Sequence, residues 1–254
     1  MLDRAKSQIQ LEESLLRAIR SAATDCFPLM QTVRHQMHRK PELSMQEFGT
    51  TDFLEQQASA AGLRPKRTSR NVGLICEWRS QHEGETRPWV GVRADIDALP
   101  IQSLSEAPYA SEVDGVMHAC GHDAHSAVAL GASAVLIELD SQGLLPVPVG
   151  LRTIFQPAEE TSHGAPYMID EGAVEGLEAA LAVHVDPNLP IGQVASRSGA
   201  FTAGCDAFEA VFTGRTGHSA RPYQARDALA AAGSWIQQVY ERNSPVHDCR
   251  DPAV

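Results

Sequence analysis

The densest group of potential metal ligands in this sequence lies between residues 117 and 125. The segment Met-His-Ala-Cys-Gly-His-Asp-Ala-His places three histidines, a cysteine and an aspartate in nine positions, directly before a stretch of helical character. Cys120 and His122 flank a glycine, so both side chains can turn toward one metal ion at the start of that helix. A thiolate and a neutral imidazole suit zinc or another divalent transition metal. The alternative interpretation is a polar loop with chance histidines.

A pair of acidic residues, Glu159 and Glu160, follows the apolar segment 147–155. If the chain remains extended there, successive side chains point to opposite sides. One carboxylate can then bind a metal ion while its neighbour takes a proton from a water as general base. Pairs of glutamates are also common on protein surfaces, so this pair alone does not identify a site.

Further candidates lie at the ends of predicted strands. His184 lies near the end of the apolar segment 179–185. It is either a metal ligand or a residue at the rim of the core whose hydrogen bonds are made within the protein. Asp95 and Asp97 follow the segment 89–94 and would share one side of a continuing strand. A carboxylate in this position can bind a metal ion or orient a histidine that does.

The pattern of polar and apolar residues changes near residue 200, where a second region begins. Residues 205–212 alternate polar and apolar side chains, as an antiparallel strand with one buried face does, and a helix is predicted over 225–242. Between them, His218 lies in the glycine-flanked loop 214–222. It could donate a hydrogen bond to an oxyanion or stabilise the loop, and both roles stay open. These features predict the start of an α+β domain.

The elements that must position the candidate residues alternate between helices and strands. Ser44 and Glu47 fit a capping box at the start of one helix, and a break is possible near Phe27-Pro28 within another. We predict strands at 71–78, 89–94, 147–155 and 179–185, and helices at 11–39, 44–61, 122–139 and 165–171. Apolar strands without strict alternation, separated by helices, favour an α/β sheet covered on both faces. The predicted domains are 1–200 and 201–254.

Composition excludes several classes of partner. The 254 residues carry a formal net charge of −11, whereas nucleic acids and anionic membranes require a basic surface. No apolar run approaches the roughly 20 residues that span a bilayer. The first 20 residues are charged throughout and lack the apolar core of a signal peptide. Five scattered cysteines fit a reducing compartment, so we predict a cytoplasmic location.

Taken in order, five segments resemble the amidohydrolase branch of the M20 peptidase family. That branch includes hippurate hydrolases, N-acyl-amino-acid amidohydrolases and plant auxin-conjugate hydrolases. The matching segments are 38–44, 93–101, 118–125, 155–160 and 217–222, and the similarity runs from about residue 28 to the last residue. The resemblance implies a zinc-peptidase-like, three-layer α/β catalytic domain followed by the start of an α+β satellite domain, which mediates dimerisation in the family.

The resemblance also implies a dinuclear site that holds two divalent metal ions (Zn, Mn or Co) and hydrolyses small N-acyl amino acids. The ligands that it implies are Cys120, His122, Glu160 and His184. Glu159 would be the general base, and Asp97 would orient a ligand without binding the metal itself. In a homodimer, His218 would reach the active site of the partner subunit and stabilise the oxyanion.

Two departures from the family pattern affect these expectations. The family has a glycine-rich run after the paired glutamates, whereas this chain has Thr-Ser-His-Gly-Ala at 161–165, which places His163 beside the site. The family also has a further metal-binding histidine after the satellite domain, for which this chain has no counterpart. We therefore expect a chain that stops before its active site is complete. The alternative to a hydrolase is then a catalytically incompetent module that binds metal or dimerises.

A thiol hydrolase is a further alternative. Cys120 would be the nucleophile and His122 or His125 its base. The positive end of the following helix would lower the pKa of the thiol. The paired glutamates would then have no role in the reaction.

Overall fold

The computed structural model describes residues 2–81, 88–199 and 208–242. Contacts within the chain divide it into two compact units, Met1–Asp186 and Pro187–Val254. The boundary inferred at residues 200 and 201 remains a prediction. Within the described ranges, no helix combines the length and apolar character needed to cross a membrane.

The first unit contains a mixed sheet with helices on both faces. Its elements are α1 (Leu2–Arg39), α2 (Phe48–Ala60), β1 (Arg64–Arg67), β2 (Leu74–Arg79), β3 (Trp89–Asp95), α3 (His122–Ser141), β4 (Gly150–Gln156), α4 (Gly164–Asp170) and β5 (Leu177–Ala182). The described strands follow the order β1-β2-β4-β3-β5. Strand β3 is parallel to both β4 and β5, while β2 is antiparallel to β1 and β4. The carboxyl ends of β3, β4 and β5 therefore share one edge.

Alternating side chains of β2 and β4 build two apolar clusters, one on each face of the sheet. Leu74 and Phe155 point to the face covered by α1, α2 and α3. Ile75 and Ile154 point to the other face, where Met168 of α4 covers them. The helices contribute to the larger cluster the buried residues Val33, Met37, Leu54, Ala58, Ala127, Ala129 and Leu130. The predicted α/β fold with a sheet covered on both faces is confirmed.

Helix α1 is continuous, so the break that we considered at Phe27-Pro28 does not occur. A proline inside a helix removes one backbone hydrogen bond. Close packing against α3 compensates for that loss. Gly131 of α3 has no side chain, which leaves room for Met30 of α1; a Cβ atom on Gly131 would lie only 2.7 Å from the sulfur of Met30. Val33 and Met37, one turn apart, continue the same buried face.

The predicted capping box at the start of α2 is wrong. Glu47 occupies the N-cap position and makes no side-chain capping hydrogen bond. The hydroxyl of Ser44 donates instead to Oδ2 of Asp97, 2.7 Å away. A contact between residues far apart in sequence has therefore replaced the local one that the pattern indicated.

Strand boundaries differ from the predictions at the edges of the sheet. Strand β1, with the polar sequence Arg-Pro-Lys-Arg, was not predicted, and it forms because it pairs with β2 along the edge where a proline is tolerated. Strand β5 ends at Ala182, so His184 lies beyond the strand rather than within it. Both differences come from pairing between strands, which a local pattern does not report.

In the second unit, the described part contains a short 3-10 helix (Pro222–Gln224) and the helix α5 (Ala228–Arg242). The side chain of Asp227 begins α5 by accepting hydrogen bonds from the backbone N–H groups of Leu229 and Ala230, at 2.9 and 3.0 Å. The predicted strand at 205–212 is not found at residues 208–212, and its first three positions lie outside the described residues.

The tight contact between Gly73 and the end of β4 gives a stability prediction. Gly73 and Gly143 both have positive φ, +83° and +68°, but only at Gly73 would a Cβ atom meet neighbours, 2.6 Å from Cδ of Pro157. Gly143→Ala should cost about 1 kcal/mol from left-handed strain alone. Gly73→Ala should cost about 1–3 kcal/mol more, because the end of β4 must shift. Equal losses in denaturant unfolding would contradict this account.

Candidate metal centre

The side chain of His122 lies at the centre of the candidate site, at the shared carboxyl edge of β3, β4 and β5. Its imidazole is 1% exposed, and Nε2 lies 3.7 Å from Oε1 of Glu160 and 3.9 Å from Oε2 of Glu159. The same nitrogen lies 3.6 Å from Oδ2 of Asp95. Because the three strands are parallel, segments far apart in sequence deliver their side chains to one place.

Asp97 fixes the orientation of this central imidazole. Nδ1 of His122 lies 2.9 Å from the carbonyl oxygen of Asp97 and 3.2 Å from its Oδ1. The Nδ1–H group therefore donates to Asp97, which leaves the lone pair of Nε2 for a ligand. Oδ2 of Asp97 also accepts hydrogen bonds from the hydroxyl of Ser44 at 2.7 Å and from the backbone N–H of Glu160 at 3.1 Å. Asp97 thus holds two candidate ligands in place, His122 through its carbonyl oxygen and Glu160 through its carboxylate.

Cys120 and His184 approach each other on the exposed side of His122. Sγ of Cys120 lies 3.4 Å from Nε2 of His184, whose Nδ1 donates to the carbonyl of Val185 at 2.7 Å. Gly121 permits this approach, since its φ is +84° and a Cβ atom there would lie 2.3 Å from Cγ2 of Val185. The donor atoms of Cys120, His122 and His184 all lie within 4.8 Å of one another.

The paired glutamates do not point to opposite sides, as an extended chain would have required. Ala158 adopts a left-handed conformation with φ 52°, and the N–H of Ser162 donates to the carbonyl of Glu159 at 2.9 Å. The chain turns here, so both carboxylates approach His122 and form a second group of potential ligands with it. The side chain of Glu159 is 41% exposed and that of Glu160 is 20% exposed, so Glu159 is the more accessible of the two.

Two buried atoms that could bind a metal ion have no hydrogen-bond partner among the described residues, which indicates that this site fits a cation. Nε2 of His122 and Oε1 of Glu160 are buried and have no hydrogen-bond partner within the described part of the chain. Leaving such a group unsatisfied costs about 1–3 kcal/mol, which a bound metal ion would offset. Burial raises the pKa of Cys120 to about 12, and the charge of Glu160 adds to the effect. Thiol, imidazole and carboxylate together match the ligands of a transition metal.

The raised pKa of Cys120 weighs against the thiol-hydrolase alternative. A nucleophilic cysteine needs a lowered thiol pKa, usually from a positive neighbour or a helix N-terminus. Here burial and the carboxylates of Glu160, Asp95 and Glu159 act in the opposite direction.

The oxygens of Asp95 are occupied by other side chains. Oδ1 lies 2.6 Å from Nδ1 of His125, and Oδ2 accepts a hydrogen bond from Arg93 at 2.8 Å. Burial alone would raise the pKa of this carboxyl. The hydrogen bond from His125, the charge of His122 in its protonated form and the charge of Arg93 outweigh burial and lower the pKa to about 2. Asp95 therefore holds His125 in place, while the two roles considered for it, metal binding and the orientation of a metal-binding histidine, stay predictions.

His218 belongs to the second unit, where it is exposed. Its Nδ1 accepts a hydrogen bond from the backbone N–H of Ala220 at 3.1 Å. This contact satisfies the local role that we considered for it in the loop. The role in oxyanion stabilisation stays a prediction.

Glu47 is a buried residue of the site that sequence reasoning missed. It is fully buried, and its Oε1 accepts a hydrogen bond from the backbone N–H of Ala158 at 2.8 Å. That contact supports the left-handed turn that presents Glu159 and Glu160. Burial raises the pKa of Glu47 to about 7. In the sequence, an acidic residue ahead of a helix is typical of a cap, so no local signal distinguishes the two roles.

Comparison with known proteins agrees with the resemblance found in the sequence. The family described as Peptidase family M20/M25/M40 matches residues 91–252. N-acetylcysteine deacetylase of Bacillus subtilis (strain 168) is 38% identical over 219 residues, which are 83% of this chain and 55% of that protein. IAA-amino acid hydrolase ILR1-like 2 of Arabidopsis thaliana is 36% identical over 251 residues, 97% of this chain and 54% of that protein.

A solved structure gives the same relationship. The crystal structure of the Bacillus subtilis YXEP protein, described as a dinuclear metal binding peptidase from the M20 family, matches with a TM-score of 0.63 and 34% identity. The match covers 72% of this chain and 49% of that one. The chain spans about half the length of the curated relatives it matches.

The buried carboxyl of Glu47 predicts a pH-dependent stability for the metal-free protein. Its pKa is about 7 in the folded state against 4.5 ordinarily, so the folded protein holds a proton that the unfolded chain loses between these values. Stability from this group therefore falls as pH rises from about 4.5 to 7. Glu47→Gln removes that dependence, and its stability relative to the unsubstituted protein should rise by up to about 3 kcal/mol across the window. Parallel stability curves, from urea unfolding with a chelator present, would contradict the assignment.

Proposed function

Because the chain belongs to peptidase family M20/M25/M40, we propose that it supplies the metal-binding part of an amidohydrolase. The protein would use a metal-activated water to cleave the amide bond of N-acyl amino acids or related small amides. The relatives named above support this substrate class, since one is a deacetylase of N-acetylcysteine and another a hydrolase of an amino acid conjugate. They do not favour the alternative of a catalytically incompetent module.

The proposed cofactors are two divalent metal ions, Zn, Mn or Co. One observation carries the proposal, namely the convergence of sulfur, nitrogen and oxygen donors around a buried imidazole nitrogen that has no partner among the described residues. We assign as ligands Cys120, His122, Glu160 and His184. When bound, the metal ions would polarise the amide carbonyl and lower the pKa of a water molecule. The related YXEP protein is itself described as dinuclear.

Glu159 is the proposed general base. Its carboxylate is the more exposed of the pair and lies 3.9 Å from Nε2 of His122. It can therefore contact a water molecule beside the ligands without being a ligand itself. It would take the proton of the attacking water and later deliver it to the leaving amine. Asp97 would keep His122 oriented throughout, through the contacts to its Nδ1.

A homodimer is part of the same proposal. His218 of the partner subunit would donate a hydrogen bond to the developing oxyanion, a contact whose loss typically costs about 10²–10³ in rate. The support for this step is the motif at 217–222. A cytoplasmic location likewise remains a prediction from the sequence.

Replacing the base tests the mechanism. Glu159→Gln should lower kcat by about 10²–10⁴-fold, because the amide cannot accept the proton of the water. Metal content by elemental analysis should stay unchanged. The assay is hydrolysis of a panel of N-acetyl and N-benzoyl amino acids by the purified protein. Glu13→Gln, the same chemical change at an exposed position of α1, is the matched control. Turnover retained by Glu159→Gln would remove this residue as the base.

Replacing the thiol tests the metal site separately from catalysis. Cys120→Ser should weaken zinc binding by at least about 10–100-fold, since even lost support of a ligand costs this much. Cys26→Ser is the control, because Cys26 is a free, half-buried cysteine on α1. Competition with a chromophoric chelator measures the affinity. An unchanged stoichiometry and affinity in Cys120→Ser would count against its role as a ligand.

A further inference from the structure

We propose that His125 is a positioning residue of the metal centre, which holds the backbone beside His184 and so directs that ligand toward Cys120. The inference rests on the proposed metal site and adds to it a residue that does not bind the metal. His125 lies in the first turn of α3, and its imidazole is 1% exposed.

Both ring nitrogens of His125 are already engaged. Nδ1 lies 2.6 Å from Oδ1 of Asp95, and Nε2 lies 3.0 Å from the backbone nitrogen of Val185. The backbone N–H of Val185 can only donate, so Nε2 accepts and Nδ1 carries the proton given to Asp95. The imidazole therefore links the end of β3 to the backbone of the residue that follows His184.

The segment that His125 contacts has little support from secondary structure. Strand β5 ends at Ala182, and residues 183–186 are exposed and outside the described strands. The side chain of His184 nevertheless approaches the candidate site, with Nε2 3.4 Å from Sγ of Cys120. The rings of His125 and His184 lie 4.5 Å apart between centroids. A buried side chain thus supplies the anchoring that strand pairing does not.

The anchor itself is rigid, as a positioning role requires. Oδ2 of Asp95 accepts a hydrogen bond from Arg93 at 2.8 Å, and the carbonyl of Asp95 accepts one from the hydroxyl of Ser126 at 2.9 Å. The carboxylate between them is 1% exposed. The path from β3 and α3 to His184 therefore runs through buried contacts until it reaches Val185.

A direct ligand role for His125 is the competing interpretation. Asp95, His122 and His125 do form a group whose donor atoms lie within 4.8 Å of one another. Binding a metal ion through His125 would, however, require one of its two contacts to break. The two roles predict different outcomes when the two nitrogens are replaced one at a time.

Asparagine and glutamine separate the two contacts. In His125→Asn, the side-chain amide can still donate to Asp95 but is too short to reach Val185. In His125→Gln, the side-chain carbonyl can reach the backbone N–H of Val185. The full chain is titrated with cobalt(II), and the thiolate-to-cobalt charge-transfer absorption reports binding at Cys120. We expect His125→Asn to weaken cobalt binding by about 10–100-fold, and His125→Gln to recover most of the affinity.

A double-mutant cycle tests whether His125 acts through His184. In a His184→Ala background, His125→Asn should cause no further loss of cobalt affinity, because the ligand that it positions is gone. Equal losses in both backgrounds, or unchanged affinity in His125→Asn, would overturn the inference while leaving the metal site intact. Failure of the unsubstituted chain to bind cobalt would overturn the metal site, and the role of His125 with it.

Histidine ¹⁵N spectra of the unsubstituted chain give a measurement that needs no folded variant. On addition of zinc, the Nε2 resonances of His122 and His184 should shift as coordinated nitrogens do. Nε2 of His125 should keep the shift of an unprotonated hydrogen-bond acceptor. A coordination shift at His125 would make it a ligand and contradict the positioning role.

Discussion

The hydrogen bond from Nδ1 of His122 to the carbonyl oxygen of Asp97 determines what the rest of the site can do. It leaves the lone pair of the buried Nε2 available for a ligand. The sulfur of Cys120 lies nearby in the same segment, and three other segments supply nitrogen and oxygen atoms through His184, Glu160 and Asp95. Parallel strands make this possible, because β3, β4 and β5 end at the same edge of the sheet. Without a cation, the fold carries unsatisfied polar atoms and crowded carboxylates at this edge. In the proposed metal-bound state these atoms would gain partners, which would offset the cost of leaving them unsatisfied.

Two buried side chains, Glu47 and His125, each hold an irregular segment of main chain at the candidate site. Glu160 follows an irregular turn after β4, and His184 follows the end of β5, so neither proposed ligand sits on a regular element. Glu47 bonds the backbone N–H of Ala158 ahead of the first, and His125 bonds the backbone N–H of Val185 beside the second. In each case a buried side chain holds the main chain next to a proposed ligand. This is how loops acquire the precision that a metal site requires.

The sequence predicted the α/β fold, and it singled out residues that the structure brings together, because both have local signatures. The cluster around Cys120 is dense, and apolar strands alternate with helices at recognisable lengths. The turn at Ala158 had no such signature, since alanine favours helices and rarely adopts positive φ. Ser44 looked like a helix cap, yet its hydroxyl bonds Asp97, a contact that only the folded chain creates. Long-range contacts of this kind also explain why strand β1 was not predicted and why β5 ends before its apolar segment does.

Zinc K-edge X-ray absorption of the chain loaded with one zinc ion tests the central claim most directly. Coordination by Cys120 together with the imidazoles and Glu160 predicts a sulfur scatterer at about 2.3 Å and nitrogen or oxygen scatterers at about 2.0–2.2 Å. A spectrum that contains nitrogen and oxygen but no sulfur at that distance would contradict the assignment of Cys120 as a ligand of the proposed metal centre.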